Sequence, residues 1–160
     1  MKKGFSALVI ASVGLFIFVL YHMLFAGPNR EMVVMSEDML ENYDYRNSIN
    51  LIPFKTIVEY VTAMVDGSIR GHAIRNLLGN LLLFFPMGFY IPFFVKKTTK
   101  IKAYSMIMAT LIVLVEIIQL AAKSGSLDID DFLLNFAGAL MSFVLFTRTP
   151  AAALLKLRAW

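Results

Sequence analysis

A chain of 160 residues is long enough for one soluble domain, but 59% of it is hydrophobic and only 16% charged. With a mean hydropathy of +0.72, there is too little charge to cover that apolar surface in water, and a bilayer is the better solvent. The absence of cysteine excludes disulfides and thiolate metal sites, and the formal charge of +4 comes from dispersed Lys and Arg, with no basic patch interleaved with aromatics, which argues against nucleic acid.

Met1-Lys2-Lys3 precedes an apolar run over residues 5–26. The run is longer than the roughly 7 to 15 residues of a signal-peptide core, and no Ala-x-Ala site follows it. It is therefore predicted to be a retained first span, since about 20 apolar residues cross the hydrocarbon. Gly27-Pro28-Asn29 ends it, with His22 as an interfacial side chain. Residues 29–73 form the long polar region, whose first half, to Tyr45, is acidic (Glu31, Glu37, Asp38, Glu41 and Asp44). Beyond Asn50-Leu51-Ile52-Pro53-Phe54, apolar residues at 54, 57, 58 and 61 follow the spacing of one helix face. That helix is too short to span and is predicted to lie at the interface or dip into the bundle. Asp66-Gly67-Ser68 reads as a turn.

The second span covers residues 74–95 and contains Gly79, Pro86, Gly88 and Pro92. Pro86 removes a helix hydrogen bond and frees the Leu82 carbonyl, which predicts a kink. Lys96, Lys97, Lys100 and Lys102 make a basic link to the third span, residues 101–122. Lys123-Ser124-Gly125-Ser126 is a tight loop, residues 129–146 are the fourth span, and the tail ending in Lys156-Leu157-Arg158 is basic. The fold class is thus an all-α integral membrane protein: one membrane domain over residues 1–160, with four transmembrane helices and an amphipathic helix in the first extracellular loop. Four spans put the three basic segments on one side, which the positive-inside rule makes cytoplasmic. Both termini are expected in the cytoplasm.

Polar residues then fall at one depth. At about 1.5 Å per residue, Asn76 and Asn80 lie in the outer third of the second span, sharing a face. Glu116 and Gln119 lie roughly 5 to 9 Å below the outer end of the third. Asp131 and Asn135 sit four apart at the top of the fourth. Side chains on spanning helices at such depth are costly enough to need partners or a task, and the expectation is one polar pocket opening outward. Glu116 and Asp131 are the candidate acid and base. Asn50, Asn76, Asn80, Gln119, Asp128 and Asn135 are candidate substrate ligands. Asp128 has a second reading as a helix cap, with Asp130 and Asp131 in the first turn, where negative charge suits the helix dipole. The asparagines have one as interhelical hydrogen-bond glue. Arg70, His72 and Arg75 belong to the outer rim, and His72 is the outward candidate for a neutral-pH base.

These residues resemble the VanZ-like family of bacterial membrane proteins. Asn50-Leu51-Ile52-Pro53-Phe54 is similar to its Asn-Leu-x-Pro-Phe element, and Asn76-x3-Asn80 with Phe85-Pro86-Met87-Gly88-Phe89 to its next block. Glu116-x2-Gln119 and Asp128-Ile129-Asp130-Asp131-x3-Asn135-x2-Gly138 match the remaining two. Gly125 and Ser126 stand where many members carry an arginine before the Asp run, with Lys123 as the candidate substitute, and Ser142 stands for a later glycine. The resemblance implies a protein of the bacterial cytoplasmic membrane, related to one that gives low-level resistance to the glycopeptide teicoplanin, and leaves the reaction open.

Three functions compete. The pocket binds membrane lipids, a lipid-linked cell-wall intermediate or a lipoglycopeptide, contributing to resistance or envelope homeostasis. Alternatively it is an intramembrane enzyme, with Glu116 tuned toward neutrality and Asp131 as second carboxylate. A divalent cation such as Mg2+ or Ca2+ held by carboxylate and amide oxygens is a possible cofactor for it. A small transporter is the third reading, weakened by the confinement of polar residues to the outer half.

Overall fold

The structure, a computed structural model, describes residues 2–25, 48–67 and 70–157. The turn at Gly27-Pro28-Asn29, the acidic stretch to Tyr45, Ser68 of the expected turn, the Arg70 side chain and Arg158 of the tail lie outside what it describes. Among the described residues, four helical stretches are long and apolar enough to cross a membrane: Lys2–Leu24, Gly71–Phe94, Ile101–Ala121 and Ile129–Arg148. Each matches the predicted span to within a few residues.

Helix α1 is Lys2–Phe25. A shorter helix, α2, is Lys55–Asp66. The second span is two helices, α3 (Arg70–Leu83) and α4 (Met87–Phe94), because Pro86 interrupts the i to i−4 ladder. The Leu82 carbonyl that the proline orphans is taken up locally by the Phe85 amide at 3.1 Å. Met87 N to Phe84 O at 3.0 Å and Gly88 N to Phe85 O at 3.2 Å continue the tightened turn. Helices α5 (Ile101–Ala121) and α6 (Ile129–Arg148) complete the set, with 3-10 turns at Lys96–Thr99 and Pro150–Leu157.

Between hydrocarbon tails and leucine there is little hydrophobic drive for helices to associate, so close approach and hydrogen bonds must hold the bundle. The sequence supplies both. A Cβ at Gly138 of α6 would collide with the Leu81 backbone carbonyl of α3, and one at Gly88 of α4 would strike Ser142 and Phe143 of α6. These two glycines let the kinked second span lie against α6 along its length. Tyr104 of α5 is fully buried, stacks on Phe143 at 4.4 Å between ring centroids and donates its hydroxyl to Ala139 O at 3.0 Å. Met108, Ile112, Phe84 and Leu24 fill in around them. Toward the basic end, Val9, Phe93 and Leu155 form a second cluster with Phe5 packed on it.

Two details differ from a pure helix bundle. Ile49–Asn50 pairs in parallel with Leu127–Asp128, a two-residue bridge tying the chain before α2 to the loop before α6. Helix α2 also splits the expected apolar face: Ile57, Tyr60 and Met64 are half-buried, while Phe54, Val58, Val61 and Val65 are exposed. It therefore packs on α3 through one stripe and presents a second to its surroundings. The loop after α5 turns with Lys123 at φ 53. Ser124 N bonds Gln119 O at 2.9 Å and Lys123 N bonds Leu120 O at 3.0 Å, a Schellman closure made with lysine instead of glycine.

Candidate functional site

Six of the eight candidate residues meet in one place. A cavity of about 280 Å³ at the end of the bundle that carries the 123–128 loop is lined by Asn76 and Asn80 from α3, Glu116 and Gln119 from α5, and Asp131 and Asn135 from α6. Helical periodicity explains the convergence: each pair is three or four residues apart and shares a face, and α3, α5 and α6 turn those faces toward a common axis. Asn80 Nδ2 donates to Asp131 Oδ1, a direct bond between two helices. Glu116 and Gln119 are 6% and 5% exposed and Asn135 only 2%, so these groups have left solvent. Arg75, Ser124, Gly125 and Ser126 form the rim, with Met23 and Leu24 of α1 closing one side.

The pocket is incompletely satisfied. The buried Oδ1 atoms of Asn76 and Asn135 accept no hydrogen bond among the described residues. Leaving such a group unmade costs about 1 to 3 kcal/mol, a penalty that persists in native proteins where a ligand, ion or water supplies the missing donor. Two carboxylates, four amides and a nearby guanidinium make a wall suited to hydroxyl and amide groups. Among the described residues no three His, Asp or Glu side chains converge as a metal set. The donors facing the cavity are two carboxylates and amide oxygens, and Asp131 already accepts from Asn80, a thin set for a hard cation that takes six to eight oxygens, Ca2+, or demands strict octahedral geometry, Mg2+.

The other two candidates lie outside the cavity wall, in a clasp that fixes α2. Asp128 Oδ1 accepts from Asp130 N at 2.8 Å and from Asn50 Nδ2 at 3.2 Å. Its Oδ2 accepts from the Thr56 hydroxyl at 2.6 Å, and Asn50 also donates to Thr56 at 3.0 Å. Asp130, fully buried, accepts from Phe54 N at 2.6 Å and Ile57 N at 3.1 Å. One carboxylate thus caps α2 from a different helix, holding Phe54 in the left-handed conformation at φ 66. Asp128 is the N-cap of α6, and the acidic run serves two helix N-termini, where negative charge is favoured.

At the rim, His72 is exposed and meets the Tyr60 hydroxyl at 3.4 Å rather than the cavity. Burial, then the charges of Asp131, Asp128 and Glu59, push the Tyr60 phenol above its ordinary range. The signal for Tyr60 in the sequence is its three-residue spacing from Ile57 on the packed stripe of α2. Arg75, anchored by Nε to Gly71 O at 3.1 Å, supplies the cation on the rim, whereas Lys123 is not part of the cavity wall.

A family model described as VanZ/LLP1 matches residues 9–153. No curated protein and no solved structure matches the chain.

Proposed function

The chain belongs to the VanZ/LLP1 family of membrane proteins, and from that premise we propose that it binds an envelope component in the polar pocket: a lipid-linked cell-wall intermediate, another membrane lipid or a lipoglycopeptide such as teicoplanin. The observation that carries this reading is the single cavity shared by Asn76, Asn80, Glu116, Gln119, Asp131 and Asn135, with buried amide oxygens still lacking donors. Binding of this kind contributes to glycopeptide resistance, or to envelope homeostasis, by masking or sequestering the bound molecule. The protein acts as one membrane unit in the bacterial cytoplasmic membrane. Lys2, Lys3, Lys96, Lys97, Lys100, Lys102 and Lys156 lie at one end of the bundle and face the cytoplasm, so the termini are cytoplasmic and the pocket opens outward.

A second reading rests on the same wall. Glu116 and Asp131 face one cavity, the arrangement an acid–base pair acting on an envelope lipid needs. Glu116→Gln separates the two, because glutamine keeps the shape but cannot ionise. Binding predicts that a deletion strain complemented with Glu116→Gln recovers its teicoplanin susceptibility pattern and an unchanged envelope-lipid profile. Loss of complementation together with a shifted lipid pool would replace binding with catalysis.

A further inference from the structure

Beside the polar pocket runs an apolar groove of about 550 Å³ between α1 and α3, bounded by Phe16 and Leu20 on one side and Leu78 and Leu82 on the other. It extends along the second span from Ile74 to Pro86, about 18 Å at about 1.5 Å per residue. That is close to one leaflet of a hydrocarbon core about 30 Å thick. Val19, Ile74, Leu78 and Leu82 on its lips are exposed, so the groove is open to the side, where lipid lies. The two cavities adjoin: Met23, Arg75, Gly79 and Leu83 line both.

Gly79 lies where they meet. Glycine inside a helix is unfavourable and needs a reason. At Gly88 and Gly138 the reason is a neighbouring helix; at Gly79 a Cβ would meet nothing within 4 Å. Gly14 and Gly71 have the same open surroundings; what sets Gly79 apart is its place in the wall of both cavities. Arg75 stands at the same junction, a planar cation of the type that grips phosphate.

Building on the pocket reading above, we propose that the pocket and groove take one amphiphile. It is a phospholipid-type molecule with an acyl chain in the α1–α3 groove, its phosphate at Arg75, and a hydroxyl- or amide-bearing head among Asn76, Asn80 and Asn135. The chain enters sideways past α3, and the head turns into the polar cavity over Gly79.

The test uses the purified full chain in detergent micelles. Phosphatidylglycerol, which carries acyl chain, phosphate and polyol together, is titrated by native mass spectrometry against diacylglycerol, which lacks the phosphate. Gly79→Leu fills the junction and Leu82→Trp fills the groove from its exposed lip. Each plug is expected to weaken phosphatidylglycerol binding by about tenfold or more, through lost burial of chain methylenes. Arg75→Gln is expected to erase the margin over diacylglycerol. If both plugs bind as the parent does while Asn76→Leu weakens binding, the groove proposal is overturned and the pocket reading stands. If Asn76→Leu also binds as the parent does, both fall. A parent chain that holds no phosphatidylglycerol overturns the proposal alone, since the pocket reading also admits a lipid-linked cell-wall intermediate or a lipoglycopeptide.

Discussion

Asp130→Ala tests the clasp that fixes α2. The carboxylate accepts two backbone amides, Phe54 N at 2.6 Å and Ile57 N at 3.1 Å, and is fully buried. Hydrogen bonds to a charged acceptor contribute about 1.5 to 3 kcal/mol each, which sets a range of about 3 to 6 kcal/mol. Burying a carboxylate is itself costly, and alanine removes that cost too, so the lower end applies: about 3 kcal/mol. At 1.36 kcal/mol per tenfold, local opening of α2 becomes about a hundredfold more frequent. Hydrogen exchange followed by mass spectrometry on peptides covering residues 48–67 reads this directly. Their protection is expected to fall by about two orders of magnitude, while peptides from α5 and the middle of α6 keep theirs. Unchanged exchange in α2 would show that Asp130 does not hold it. Asp130→Asn keeps one acceptor oxygen and is expected to fall between the two.

Other outcomes follow from the same coordinates. Gly138→Leu drives a side chain into the Leu81 backbone and is expected to abolish a folded, detergent-stable peak in size-exclusion chromatography. Gly79→Ala is expected to leave that peak intact and to raise thermal stability by up to about 1 kcal/mol. Because burial and nearby carboxylates push the Tyr60 phenol above its ordinary value of 10.0, folding favours its protonated form. That stability is present below pH 10.0 and is lost as pH rises past it. Difference absorbance titration of the parent against Tyr60→Phe should show late ionisation, and Asp131→Asn should move it earlier by removing a repelling charge. The natural chain has no cysteine, so a single cysteine at Ser126 is expected to react with an impermeant thiol reagent on intact cells. One at Thr99 should react only after permeabilisation; the reverse pattern would invert the orientation.

What could be read in advance, and what could not, follows from the range of the signals involved. The spans were legible because lipid demands long apolar runs. The pocket was legible because Asn76/Asn80, Glu116/Gln119 and Asp131/Asn135 repeat helical spacing at matched depth. The clasp was not. Asp130 bonds backbone amides 76 and 73 positions away, and a backbone donor leaves no mark in residue identity. Asp128 as the cap of α6 can be read from its place just ahead of the helix, but that Asn50 and Asp128 also bond Thr56 and each other cannot. The groove was hidden for a different reason: Leu78 and Leu82 facing a ligand chain are indistinguishable, as sequence, from Leu78 and Leu82 facing lipid. The split faces of α2 were blurred because Ile57 and Val58 are both apolar, and only packing against α3 separates them.

The most direct measurement is an experimental density map of the chain purified from its own membrane. The account predicts Glu116, Asn80 and Asn135 turned toward one another around a non-protein density reaching the Asn76 and Asn135 amide oxygens. A map with Glu116 facing lipid, or with the space between α3, α5 and α6 filled by packed side chains, would contradict it.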